Sequence, residues 1–590
     1  MFKSPSTFYQ EQLKKYLKEV KSFKSRLVLM STYRLLVFVI TSLGVYFFFN
    51  NWQIALIIAI VGIALFLYLL SRYTDVKAQR DLAKVLVTLN EEEIKIGTGE
   101  FQHRSSGLEF QNPTHFYSLD IDLFGRGSFF QFINRTAISE GKERLASILT
   151  ANNINSIVKR QEAIKELSEK AIWRQNYTAK AQLISVETPA RTIINWLKQH
   201  KLFLPKSMAW LPEVFSVLFL IITSCAIFGV IPVEYVGYWL FVGLGITGFY
   251  LKKINDLALN TSKVKDTFRQ YAALLNQIEN ETFKSELLKE KQLKIQSESK
   301  KASEIFKSLS KALDALDNRN NLLSAIFGNG YFLWDLKQSY KIEKWIAQYA
   351  DKVEDWFEVV SFFDAYNSLG NYVFNHPNFT FSYITSKGEV VNAKDLGHPL
   401  LDKEKRVTSN VRINNEQFFI VTGANMAGKS TFLRTISLHI VMANAGLPVC
   451  AKTSEYNPVK LVTSMRTSDS LIDDSSYFFS ELTRLKFIVD AIKKEPYFII
   501  LDEILKGTNS TDKAIGSRKF VEKLVASNAT GIIATHDLSL CEIEKELNDV
   551  QNYYFDAQIV NDELFFDYKL KQGVCQNMNA SFLLKKMEIV

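Results

Sequence analysis

Eight residues in the last third of the chain have the types and spacing of a phosphate-binding loop. They read Gly423-Ala424-Asn425-Met426-Ala427-Gly428-Lys429-Ser430, and Thr431 follows them. Glycines in such a loop let backbone N–H groups turn onto phosphate oxygens, the lysine neutralises the β- and γ-phosphates, and the next hydroxyl ligates Mg²⁺. An apolar run enters the loop and a helical pattern leaves it. Gly423 to Thr431 are therefore predicted to bind ATP, with Lys429 also catalytic and Ser430 a ligand of Mg²⁺.

A second apolar run ends in two carboxylates. Tyr497–Leu501 is typical of a buried strand, and Asp502 and Glu503 follow it directly. Asp502 is predicted to hold Mg²⁺ through its water shell, and Glu503 to polarise the attacking water as general base. A third run, Gly531–Thr535, ends at His536, which is placed to sense the γ-phosphate, although a histidine taken alone is more often structural. These residues together predict an enzyme that hydrolyses ATP on Mg²⁺.

The patterns around these runs divide the chain into two kinds of structure. After residue 375, short β-rich runs alternate with helices, which is typical of an α/β domain with a largely parallel sheet. Residues 115–205 and 255–370 have helical periodicity. The Lys- and Glu-rich segment Ser285–Lys301 indicates a solvated helix face in preference to a nucleic-acid patch.

The composition leaves the partner open. The chain has 590 residues, too many for one core, and its net charge of +9 suits nucleic acid or an anionic membrane without requiring either. The cysteines are scattered without a C-x-x-C pair, which indicates neither a zinc site nor a disulfide framework. They are Cys225, Cys450, Cys541 and Cys575.

Apolar residues are concentrated in two places. Leu35–Ser71 contains no charged residue and is broken only by Asn50-Asn51, and a second pair of apolar runs follows at Val214–Val233 and Tyr235–Leu251. Each pair is about long enough for two membrane-crossing helices. Lysine and arginine flank both pairs and are absent from their turns, which predicts a multi-pass protein of the cytoplasmic (inner) membrane with the ATPase domain facing the cytoplasm. The alternative interpretation is that each pair is a helical hairpin buried in a large soluble core. This alternative has more support for the second pair than for the first.

The three chemical runs resemble the MutS family of ATPases. Thr422 to Thr431 matches the family's T-G-x-N-M-[AS]-G-K-S-T, with Ala424 where proline is usual. The run Leu501–Ile504 resembles its L-D-E-I, and Ala534–His536 resembles its A-T-H. Further upstream, Gly397–Pro399 is similar to the G-x-H-P that begins its ATPase domain. Four further segments resemble parts of the helical lever domain of the MutS family: Leu119–Gly125, Asn134–Thr136, Gly141 and Arg160-Gln161.

The resemblance also implies a dimer. Ser468–Leu471 and Ser475–Glu481 are similar to the S-D-D-L…S-T-F-x-x-E stretch that one subunit of the family presents to the ATP of its partner. Ser476 matches the signature serine, while Tyr477 departs from threonine. This similarity implies a homodimer that forms through the ATPase domains, with Ser476 acting in trans.

Two departures from the family bear on DNA. Residues 1–114 contain no Phe-x-Glu wedge, and the second apolar pair stands where the family carries its DNA-gripping clamp arm. The resemblance therefore implies an ATP-dependent DNA-binding protein of the mismatch-repair family whose DNA binding is weak and not mismatch-selective. A membrane-associated ATPase for remodelling or signalling without DNA is the alternative. A half-transporter of the ABC type is disfavoured, since no L-S-G-G-Q segment is present.

The expected fold is multidomain: an α-helical lever or core domain, a C-terminal α/β P-loop ATPase domain of the ABC/MutS type, and two transmembrane helical hairpins. The expected segments are 1–34, a basic N-terminal helix; 35–71, a transmembrane hairpin; 72–114, a connector; 115–375, the lever, with a hairpin inserted at 207–251; and 376–590, the ATPase domain.

Overall fold

The chain begins with two very long helices joined by a short turn. The computed structural model describes residues 4–184, 186, 188–296, 300–466, 477–560 and 563–576. Helix α1 is Pro5–Phe47 and helix α2 is Trp52–Gly97. Ser4 caps α1 by accepting from the Thr7 N–H, and Asn51 caps α2. The basic N-terminal segment and the first apolar run thus form one continuous helix.

The apolar parts of α1 and α2 are exposed. Among the described residues, these two helices are long and apolar enough to cross a membrane by length and composition. In the apolar 18-residue stretch of each helix, 0% of the residues of α1 and 6% of those of α2 are buried. They approach closely at Gly62, where an added Cβ would lie 2.2 Å from the Thr41 hydroxyl oxygen. At the other end, the ring of Phe8 on α1 packs edge-on against Phe374 in the helical body.

The helical body follows and is organised around one long helix, α13 (Trp334–Asn375). Its Trp356, Phe362, Phe363 and Leu369 are buried in the main core. Asp364 of α13 accepts hydrogen bonds from the Ala137 and Ile138 N–H groups, which directly precede helix α4 (Ser139–Thr150). The helices of the body are α3 Phe129–Ile133, α4 Ser139–Thr150, α5 Ile157–Glu169, α6 Ala171–Gln182, α7 Ala190–Gln199, α8 Leu211–Ile227, α9 Glu234–Glu279, α10 Glu286–Ile295, α11 Ala302–Asp317, α12 Leu322–Phe332 and α13 Trp334–Asn375.

After α13 the structure changes to mixed α/β, and the predicted order of a helical part followed by an α/β part is confirmed. A four-stranded sheet has the order β1-β5-β2-β3, and a six-stranded sheet has the order β10-β9-β4-β8-β7-β6, parallel except for β10. The strands are β1 Tyr383–Ile384, β2 Glu389–Leu396, β3 Ser409–Asn414, β4 Phe418–Gly423, β5 Thr453–Tyr456, β6 Lys460–Ser464, β7 Tyr497–Asp502, β8 Thr530–Ala534, β9 Val550–Val560 and β10 Glu563–Gln572; the helices are α14 Lys429–Ala445, α15 Tyr477–Ile492 and α16 Ser510–Ala526.

Polar contacts attach the helical body to the α/β part. Asp120 accepts from the Thr463 hydroxyl at 2.5 Å and from the Arg466 N–H at 2.9 Å, at the end of β6. On α5, Arg160 donates to the Asn444 carbonyl at 2.6 Å near the end of α14. Both Asp120 and Arg160 lie in segments that resemble the MutS lever, so the resemblance falls on residues that join the two parts.

Candidate functional site

The proposed phosphate-binding loop lies between a fully buried strand and a helix N-terminus. Every residue of β4 is buried, and α14 begins at Lys429. Gly428 precedes the helix with φ +106°, a left-handed conformation that suits glycine. Gly423 lies so close to β9 that an added Cβ would be 2.6 Å from the Phe555 carbonyl oxygen. The loop therefore meets the positive end of the α14 dipole, which is a favourable place for an anion.

Lys429 is folded back against this loop. Its Nζ donates to the carbonyl oxygens of Gly423 at 2.8 Å and Ala424 at 3.2 Å. Burial lowers the pKa of Lys429, while the carboxylates of Glu503 and Asp502 act in the opposite direction. A buried ammonium whose bonds are to neutral carbonyls gains from an anionic oxygen, because charge-assisted bonds are stronger.

Ser430 and Asp502 meet across the sheet edge. The Ser430 hydroxyl donates to the Asp502 carboxylate at 2.7 Å, and Asp502 ends β7. Magnesium prefers oxygen ligands and usually takes only one or two carboxylates, completing its shell with water and phosphate oxygens. Among the described residues no group of three or more His, Cys, Asp or Glu side chains is placed so that it could hold a metal ion, and this kind of magnesium site needs none. The hydroxyl and carboxylate pair fits Mg²⁺.

Glu503 and His536 form the next pair along this edge. The Glu503 N–H donates to the Ala534 carbonyl at the end of β8, and the Glu503 carboxylate lies 2.9 Å from His536 Nε2. This hydrogen bond to His536 is the main cause that lowers the pKa of Glu503 to about 2. Lys429 Nζ is also 3.1 Å from His536 Nε2, but one ring nitrogen cannot both donate to Glu503 and accept from Lys429. We assign the bond to Glu503, because that contact is the shorter of the two.

The loop after Glu503 is held from α15 by a buried carboxylate. Glu481 accepts from the Leu505 N–H at 2.5 Å and from the Lys506 N–H at 3.0 Å, and it is 3% exposed. Burial raises the pKa of Glu481, whereas the two N–H groups act to lower it. The same loop touches α15 at Gly507, where an added Cβ would lie 2.8 Å from the Phe478 Cβ. The sequence pattern marks Glu481 only as the last position of the signature stretch and does not indicate this role.

Ser476 lies outside the described residues, as do all positions from 467 to 476. Its predicted role in trans stays a prediction. The remaining predicted site residues are described, and the structure brings Lys429, Ser430, Asp502, Glu503 and His536 together at the carboxyl ends of β4, β7 and β8.

A cavity of about 430 Å³ opens beside the loop. Gly428 and Met426 of the loop line it, together with residues that sequence reasoning did not assign to the site. Those residues include His398, Leu401, Phe432 and Tyr568. Burial lowers the pKa of His398 to about 4, so its imidazole is neutral at pH 7.

The strand, loop and helix, together with two carboxylates at the end of β7, resemble the arrangement of a P-loop nucleotide-binding domain, in which one strand, here β8, separates the loop strand from the acidic strand. Comparison with known proteins refines this class. A family model described as MutS domain V matches residues 419–586. MutS protein homolog 4 of Homo sapiens is 32% identical over 234 residues, which are 38% of this chain and 24% of that protein. On these comparisons residues 419–586 match MutS domain V, and this part of the chain is similar to proteins of the MutS family.

Microbial relatives match over a similar stretch. The DNA mismatch repair protein MutS of Persephonella marina is 30% identical over 241 residues, covering 40% of this chain and 27% of that protein. The protein of the same name from Methanococcoides burtonii is 30% identical over 237 residues, covering 39% and 26%. The chain therefore matches about a quarter of the length of these relatives.

Proposed function

We propose that this chain is a membrane-anchored ATPase of the MutS family, which binds ATP with Mg²⁺ and hydrolyses it. The observation that carries the proposal is the meeting of a loop lysine and serine with the acidic pair Asp502-Glu503 at one edge of the parallel sheet. Similarity to the MutS family supports it independently, because residues 419–586 match MutS domain V.

The residues of the loop have separate tasks in this proposal. Backbone N–H groups of residues 423–431 surround the phosphates, and Lys429 exchanges its carbonyl partners for β- and γ-phosphate oxygens. Ser430 and Asp502 would hold Mg²⁺, and the ion would supply charge neutralisation on the phosphates. The cavity beside the loop has room for the nucleoside, with the apolar Phe432 and Leu401 and the ring of Tyr568 in its wall.

Glu503 needs a change of partner before it can act as general base. A carboxylate whose pKa is about 2 accepts a proton poorly, and the bond to His536 is what lowers the pKa. A γ-phosphate beside Lys429 offers His536 a competing anionic partner. Release of His536 toward that phosphate returns Glu503 toward an ordinary carboxylate pKa, so the base is strengthened only when ATP is bound.

The wider assignments belong to the same proposal. Helices α1 and α2 anchor the chain as a multi-pass protein of the cytoplasmic membrane, with the ATPase domain, 376–590, in the cytoplasm. Two copies pair through their ATPase domains, and Ser476 completes the site of the partner. DNA is the proposed target because the MutS relatives are DNA mismatch repair proteins. The binding is weak and not mismatch-selective.

A second candidate is an ATPase switch for membrane remodelling or signalling that does not bind DNA. The observation that favours it is the exposed apolar surface of α8 and α9, at the position where the resemblance places a clamp arm. Stimulation of ATP hydrolysis by liposomes and not by duplex DNA would select this candidate.

The test compares two substitutions with a control in the purified full chain. Lys429→Ala should weaken ATP binding, whereas Glu503→Gln should keep binding and lower kcat by roughly 10²–10⁴-fold, because only water activation is lost. Glu495→Gln is the control, since Glu495 precedes β7 at its opposite end and pairs with Lys460. Hydrolysis by Glu503→Gln at the rate of the unsubstituted chain would overturn the assignment of the base.

A further inference from the structure

A short apolar helix, α12, extends the apolar surface of the helical body. It is Leu322–Phe332, it contains no charged residue, and sequence reasoning did not separate it from the helical stretch around it. Leu322, Leu323, Phe327 and Phe332 are exposed on it. Single exposed apolar residues are ordinary, but four of them on one eleven-residue helix form a surface that needs a partner.

Helix α12 packs tightly on the second apolar pair of helices. A Cβ added at Gly243 of α9 would lie 2.2 Å from the Gly330 carbonyl oxygen, so the two backbones touch there. The ring of Tyr331 stacks on Phe219 of α8 at 4.3 Å. Small residues that let helix backbones approach are typical of helix contacts in membranes. The three helices form one packed unit.

The outer surface of this unit is apolar and its ends are polar or aromatic. From α8 to the first half of α9 the exposed side chains include Val217, Leu220, Ile221, Phe228, Phe241 and Phe249. Glu213, near the start of α8, is paired with Lys337, and Glu234 begins α9 beside the turn. Exposed aromatic rings stand near both ends, at Trp210 before α8 and at Tyr235 in the first turn of α9.

Positive charge collects on one side only. Lys201 and Lys206 precede α8, and Lys252 and Lys253 follow the apolar half of α9, while the turn 228–233 carries neither lysine nor arginine. A protein partner has no reason to impose this distribution. Insertion into a bilayer explains this distribution of lysines, because lysines stay on the cytoplasmic side among anionic headgroups and aromatic rings gather at the membrane interfaces.

We propose that α8, residues 234–251 of α9 and α12 insert together into the lipid bilayer as a second membrane unit. Helix α12 enters without crossing, because its 11 residues give a length of about 16 Å against about 30 Å of hydrocarbon. The proposal rests on the membrane localisation proposed above and adds a second contact with the bilayer, located inside the helical body. The ATPase domain is then tied to the bilayer through α13, which begins directly after α12.

The test places a nitroxide spin label on α12 in the full chain. Leu323→Cys is made in a Cys225→Ala background, because Cys225 is partly exposed and the other three cysteines are buried. The protein is reconstituted into vesicles of phosphatidylethanolamine and phosphatidylglycerol. Collision of the label with oxygen, which concentrates in lipid, is compared with collision with a nickel chelate, which stays in water. Leu259→Cys is the matched control, since Leu259 is 65% exposed and Leu323 is 64% exposed.

The expected result is high oxygen and low nickel access at position 323, with the reverse at position 259, which lies beyond Lys252 and Lys253 on α9. Nickel access at 323 equal to that at 259 would show a surface in water, and low access to both reagents would show a protein partner; either result overturns the proposal. Phe327→Cys repeats the measurement if Leu323→Cys does not fold. A label at Ile57→Cys on α2 reports the first anchor separately, so failure of that anchor and failure of the second unit give different patterns.

Discussion

The carboxylate of Glu481 offers the sharpest test of how the site is held together. In Glu481→Gln one oxygen remains to accept a backbone N–H, while the new amide group turns its own N–H toward the other. One of the two hydrogen bonds, from the Leu505 N–H or from the Lys506 N–H, is therefore lost, because that N–H now faces the NH₂ group of the glutamine, which cannot accept it. Hydrogen bonds to charged groups contribute about 1.5–3 kcal/mol each.

That loss bears on catalysis because of where the two N–H groups lie. They are two and three residues after Glu503, and both Glu503 and Leu505 have positive φ, at +50° and +59°. Non-glycine residues hold such conformations only when their surroundings fix them. If the lost bond frees the loop, the active arrangement of Glu503 loses population, and kcat falls about ten- to a hundredfold, since about 1.4 kcal/mol is one decade. ATP affinity stays the same, because Lys429 and Ser430 are not touched.

Glu343→Gln is the matched control for this experiment. Glu343 on α13 also accepts two successive backbone N–H groups, from Phe203 at 2.9 Å and Leu204 at 3.0 Å, and it is likewise 3% exposed. Both substitutions should lower the melting temperature, but only Glu481→Gln should lower kcat. Steady-state ATP hydrolysis, nucleotide binding and thermal unfolding are measured on each. An unchanged kcat for Glu481→Gln, with a melting temperature that falls as in Glu343→Gln, would refute a positioning role.

Two further predictions concern partners. Mixing Ser476→Ala with Lys429→Ala chains should restore ATP hydrolysis above that of either variant alone, because each heterodimer then carries one intact composite site. If mixtures shown to contain heterodimers give no rescue, Ser476 does not act in trans. Matched and mismatched DNA duplexes should bind equally weakly, and binding should be largely lost between low and physiological salt, because only phosphate contacts are available. A tenfold preference for the mismatch in a titration at two salt concentrations would contradict this.

The meeting of the loop with the acidic pair at one edge of the sheet was predictable because the information for it is local in the chain. Eight consecutive residues define the loop, and Asp502 and Glu503 directly follow a run of buried residues. Parallel strands end at the same edge of a sheet, so residues on β4, β7 and β8 had to meet once that sheet was inferred. The family resemblance carried by these runs is confirmed by the match to MutS domain V.

Features that depend on distant pairs were not predictable in this way. Glu481 acts on residues 24 and 25 positions later, and no periodicity marks it as a cap for a loop. Helix α12 is 11 residues long and contains two glycines and an asparagine, so it falls below the length by which a membrane helix is recognised. Its role in the apolar unit depends on contact with Gly243, 87 positions away from Gly330, which only the folded chain shows.

Helix α15 joins these distant contacts into one path. Glu481 holds the loop after Glu503, and three residues later Arg484 donates to the Phe116 carbonyl at 2.6 Å and to the Thr463 carbonyl. Residues three apart lie on the same side of a helix, so one face of α15 binds both the loop after Glu503 and the first segment of the helical body. The signature stretch predicted to meet the ATP of a partner leads directly into this helix. A displacement of α15 on dimer contact would therefore move the Glu503 loop and Phe116 together, which gives a physical route from the nucleotide of the partner to the helical body.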